Sequence, residues 1–84
     1  MQKKGCAYIM ITMDIMKPGE LGRVIKLNTK GDMRRRFCDL GLVEDTQIEC
    51  VGTSPSGDPK AFLIRGAVIA IRWEDASTVC VTIL

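Results

Sequence analysis

A mainly β chain with one inserted helix is predicted by three observations. Short apolar runs recur at β spacing along most of the sequence. Turn-forming clusters of Pro, Gly, Ser and Asp separate them. One stretch alone, near residues 32–40, carries apolar residues at helical spacing. With five to six short strands in 84 residues, the sheet must close or half-close to limit its free edges. A small SH3-like β-barrel is the economical solution.

The elements follow in order. "YIMITM" (8–13) is a short apolar strand, and "MKPGELG" (16–22) is a turn. Pro18 and Gly19 suit the two central positions of a type II turn. "GRVIKLN" (22–28) is a strand with β-branched residues at its centre.

The helix comes next. Asp32 is a suitable N-cap, because its carboxylate accepts backbone N–H bonds of the first turn. Met33, Phe37 and Leu40 share one face at i, i+4 and i+7. At about 100° per residue Arg34 and Arg35 point away from that face, and Arg36 lies at its border. Gly41 fits the left-handed position that ends a helix. Three arginines at a helix start sit against the helix dipole. They are either a solvated face balanced by Asp32 and Asp39, or a surface for a partner.

After the helix the pattern returns to β. "TQIECVG" (46–52) places Ile48 and Cys50 on one face. "SPSGDP" (54–59) is a loop of turn formers. "KAFLIR" (60–65) and "AVIAIR" (67–72) form a tight hairpin hinged at Gly66. "WEDAS" (73–77) is a single helical turn, with Trp73 expected as an apolar plug at the barrel end. In "TVCVTIL" (78–84), Val79, Val81 and Ile83 face one way.

Composition narrows the function. The net charge of +2 is too small for a dedicated nucleic-acid binder. One Trp, one Tyr and two Phe offer few stacking platforms for single strands. The absence of histidine removes the commonest general base and rules out a Ser-His-Asp triad. No glycine pattern forms a phosphate cradle. The adjacent carboxylates Glu44-Asp45 and Glu74-Asp75 read as surface turn residues. No apolar run approaches the ~20 residues needed to cross a bilayer. No catalytic or cofactor-binding constellation emerges, and a non-enzymatic, cytoplasmic protein is expected. Cys6, Cys38, Cys50 and Cys80 are too widely spaced for a zinc knuckle and read as reduced thiols. Cys50 and Cys80 lie in strands, where a free thiol acts as a small hydrophobe.

The motifs "KPGELGRV", "GDMRRRFCDLGLVEDTQIE" and "SPSGDPKAFLIRGAVIAIRWEDA", in this order, resemble the ferrous iron transport protein A (FeoA) family. The resemblance covers residues 12–83, so 12–84 is taken as the domain and 1–11 as a variable extension. It implies an SH3-like barrel with an inserted helix. It also implies a cytosolic accessory of the membrane ferrous iron transporter, which carries a GTP-binding domain. Phe37 departs from the family's usual Leu at that position. On that basis partner contact is expected around Lys30, Met33, Arg34, Arg35, Arg36, Leu40 and Leu42. There Arg34 and Arg35 are expected to flank a shallow apolar groove and meet an acidic patch. No intrinsic high-affinity iron site is expected, since such sites usually combine histidine with carboxylate. The alternative is a metal-responsive SH3-like module that binds a transition metal directly. Exposed strand edges and Cys6 make a homo-oligomer conceivable.

Overall fold

The computed structural model describes residues 10–84. Six strands and two helices follow one another: β1 (Met10–Thr12), β2 (Leu21–Leu27), α1 (Gly31–Leu40), β3 (Gln47–Thr53), β4 (Lys60–Ile64), β5 (Ala67–Ile71), α2 (Trp73–Ala76) and β6 (Val79–Ile83). The strands form one antiparallel sheet in the order β1-β6-β2-β3-β4-β5. Register shifts between Val24 and Lys26 and between Cys50 and Gly52 mark bulges, which bend strands and increase twist. Among the described residues the edge strands β1 and β5 do not pair with each other. Instead α2 packs on a 3₁₀ turn at Met13–Ile15, burying Ala76 and Met13. The result is a half-closed barrel of the SH3 type around Phe37, Phe62, Ile48, Ile64, Val24 and Val81.

Local chemistry sets the turns. At the Pro18-Gly19 turn the Glu20 amide donates to the Lys17 carbonyl at 3.0 Å, with Gly19 at φ +95°. Both Arg65 (φ 49°) and Gly66 (φ 85°) are left-handed, which makes the β4–β5 turn type I′ and matches the twist of its strands. α1 ends at Gly41 (φ 90°). There the Leu42 amide donates to the Phe37 carbonyl at 2.8 Å and the Gly41 amide to Cys38 at 3.0 Å. This is the Schellman pattern, and the Phe37 and Leu42 side chains are both buried.

Three expectations are corrected. Asp32 is not the N-cap. Lys30 holds that position in an extended conformation, Gly31 turns the chain in at φ +65°, and Asp32 lies within the first turn. Its carboxylate still complements the helix dipole there. Trp73 is no plug. It is 60% exposed, because α2 docks through Ala76. The first strand covers Met10–Thr12 only, since Met13 enters the 3₁₀ turn; residues 8 and 9 lie outside the described residues. In β6, Val79 and Val81 are buried as the alternation predicts, but so is Thr82. It lies between Met10 of β1 and Arg23 of β2 on a strand flanked from both sides. Among the described residues no helix is long and apolar enough to cross a membrane.

Candidate functional site

α1 turns a continuous apolar face toward the barrel. Phe37, at its middle, is driven into the core and is 2% exposed. Met33 and Leu40, one turn to either side, pack against the core but stay half-buried. They line one wall of a groove of about 530 Å³ together with Phe37 and Arg36. The opposite wall is Ile69–Ile71 of β5, continuing into Arg72 and Asp75. A second, smaller pocket of about 130 Å³ lies between Asp32, Met33 and Arg36. The groove thus has an apolar floor and carries two arginines against one carboxylate.

The expected contact residues separate into three groups. Met33, Arg36 and Leu40 meet in the groove. Lys30, at the N-cap of α1, and Arg35, on the helix, are exposed but do not line the groove. Arg34 and Leu42 serve the fold. Arg34 Nη1 donates to the carbonyl oxygens of Leu27 at 3.0 Å and Thr29 at 3.4 Å, tying α1 to the end of β2. Arg34 therefore does not stand free beside the groove. Leu42 is fully buried and cannot meet a partner while the domain is folded.

The β5 wall was not foreseen. Its one signal was that "AVIAIR" is apolar at both parities, which a strand with one solvated face does not require. The outward residues of that run, Val68 and Ala70, are indeed exposed, Val68 by 64%.

The thiols are dispersed. Cys38 is exposed on α1, Cys80 is half-buried with the Asn28 amide donating to its sulfur at 3.7 Å, and Cys50 is wholly buried. Burial pushes the Cys50 thiol above its ordinary value, partly offset by its contact with Gly52 and by the charge of Lys60. Lys60 Nζ donates to the carbonyls of Asp14 and Met16, which pins the 3₁₀ turn against β4. Cys6 lies outside the described residues. Among the described residues no three His, Cys, Asp or Glu side chains come together as a metal site.

A family model, the FeoA domain, matches residues 11–83. The chain belongs to the FeoA domain family. Solved relatives agree. The FeoA protein of Chlorobium tepidum is 28% identical, with TM-score 0.83, over 88% of this chain and 70% of that one. A FeoA-like protein of Clostridium acetobutylicum is also 28% identical, with TM-score 0.82, over 94% and 91%. The Stenotrophomonas maltophilia FeoA, solved with zinc and described as a prokaryotic SH3 domain protein, has TM-score 0.75 at 21% identity, over 84% and 88%. That likeness shows the shared fold. No curated protein matches the sequence. The FeoA family is associated with ferrous iron transport.

Proposed function

We propose that this chain is a non-enzymatic, cytoplasmic accessory of ferrous iron uptake. It acts by protein–protein contact with the cytosolic GTP-binding domain of the membrane ferrous iron transporter. The contact surface is the groove between α1 and β5, with Met33, Arg36 and Leu40 at its centre and Lys30 and Arg35 at its margin. The observation that carries this reading is the half-buried apolar groove flanked by Arg36 and Arg72 in a chain of the FeoA family. Concave apolar surface with a few convergent charges is the usual form of a binding site. An activating role in ferrous iron transport is the one suggested for the S. maltophilia relative.

The test is an NMR titration of the labelled chain with the transporter's soluble cytosolic domain, with and without a GTP analogue. Shifts clustered on residues 33–40 and 69–75 are expected. Absence of shifts from a folded domain returns the arginines to a solvated surface.

A further inference from the structure

The groove has a second property besides its apolar floor: one of its walls is β5, an edge strand of the sheet among the described residues. Among the described residues, β5 pairs with β4 on one side and with no strand on the other. The hairpin geometry fixes which backbone groups face that edge. A two-residue type I′ turn closes on a hydrogen-bonded pair, here Ile64 and Ala67. Antiparallel pairs alternate, so Phe62 with Ile69 and Lys60 with Ile71 are also hydrogen-bonded pairs. The intervening residues, Val68 and Ala70, therefore aim their N–H and C=O groups away from β4. An exposed edge is a template for another strand unless something covers it. Here α1 stands across the groove from it and supplies apolar surface instead.

We infer that this edge takes an extended segment of a partner protein as a seventh strand, with alternate apolar and acidic side chains. The inference rests on the docking reading above and specifies its geometry. A seated strand pairs with the Val68 and Ala70 backbone groups. Its inward side chains fill the space between Met33, Phe37 and Leu40 on one side and Ile69 and Ile71 on the other. Its outward side chains meet Arg36 and Arg72. Arg36 and Arg72 outnumber Asp75, the one carboxylate lining the groove, so the groove favours acidic over basic residues. Main-chain bonds supply affinity in strand addition, and side-chain pockets supply selectivity.

The probe is an end-blocked eight-residue peptide alternating valine and glutamate, with a valine–lysine peptide as control. Binding is expected to shift residues 33–40 and 69–75. At saturation, amide exchange at Val68 and Ala70 should slow by at least about tenfold, because both N–H groups gain acceptors. The lysine peptide should bind about tenfold more weakly or worse. The Ala70→Pro variant removes one edge donor that the β4 ladder does not use. It should keep the fold and lose most of the affinity. The exchange readout on the unaltered chain holds whether or not that variant folds. Shifts in the groove without slowed exchange at Val68 and Ala70 overturn strand addition, as does failure of both peptides to bind. The two readings also fail separately. A transporter domain that shifts the groove without protecting Val68 and Ala70 keeps the docking and removes the strand. A glutamate peptide that protects both amides, where the transporter domain does nothing, keeps the strand and removes that partner.

Discussion

The Arg34 guanidinium donates through Nη1 to the Leu27 carbonyl oxygen at 3.0 Å, so the first arginine of the run is a brace between α1 and β2. A hydrogen bond from a charged donor contributes more than a neutral one, and this one is only partly screened. Arg34→Ala should cost about 1–2 kcal/mol in urea unfolding. Arg35→Ala, on an exposed position of the same helix, should stay within about 0.5 kcal/mol. Equal effects would mean that the brace does not hold in solution.

Gly41 and Arg65 are a second such pair. A Cβ placed on Gly41 would lie 2.1 Å from Arg65 Cδ, and Gly41 sits at φ +90°. Gly41→Ala combines left-handed strain of about 1–2 kcal/mol with displacement of the Arg65 side chain. Adding Arg65→Ala should recover the contact part and leave the strain. A double-mutant cycle reads the difference; strict additivity would place the whole effect in the backbone.

The Cys50 thiol is raised by burial, which favours its protonated form in the folded state. The folded chain thus holds that proton to higher pH than the unfolded chain. Stability from this group is intact below the ordinary thiol value of about 8.5 and is lost as pH rises through the folded value. The stability gap between the wild type and Cys50→Ala should therefore narrow between pH 8 and pH 10 in urea melts. In the native state at pH 8 an alkylating reagent should modify Cys38 well before Cys50, as peptide mass mapping can show.

What the sequence made legible was chemistry confined to a few neighbouring residues. Pro18-Gly19, Gly41 and the hinge at Gly66 each define their turn by backbone geometry, and each turn formed as expected. Strands β2 to β6 fell within about one residue of their expected bounds. What failed was long-range. Arg34 points off the helix by azimuth, yet its long side chain reaches back to carbonyls at the end of β2. Leu42 looked like part of a surface motif, but the helix-ending pattern folds it in beside Phe37. Trp73 is left exposed because Ala76 is the residue that packs. The second wall of the groove comes from β5, whose place at the sheet edge depends on strand order rather than on any local pattern.

The division of the arginines gives the last prediction. Arg36 and Arg72 line the groove from opposite walls, while Arg34 braces the fold and Arg35 lies to one side. Arg36→Glu and Arg72→Glu both sit on exposed positions, so the unfolding midpoint should barely move. Together they place two new carboxylates beside Asp75 and reverse the sign of the groove. Affinity for the transporter's cytosolic domain should drop by about tenfold or more, chiefly through slower association, and the loss should shrink as salt is raised. Arg35→Glu should have a smaller effect, since Arg35 is exposed and does not line the groove. Surface plasmon resonance at two salt concentrations separates these terms. Loss of affinity that follows Arg35 rather than Arg36 and Arg72 would move the partner from the groove to the outer face of α1.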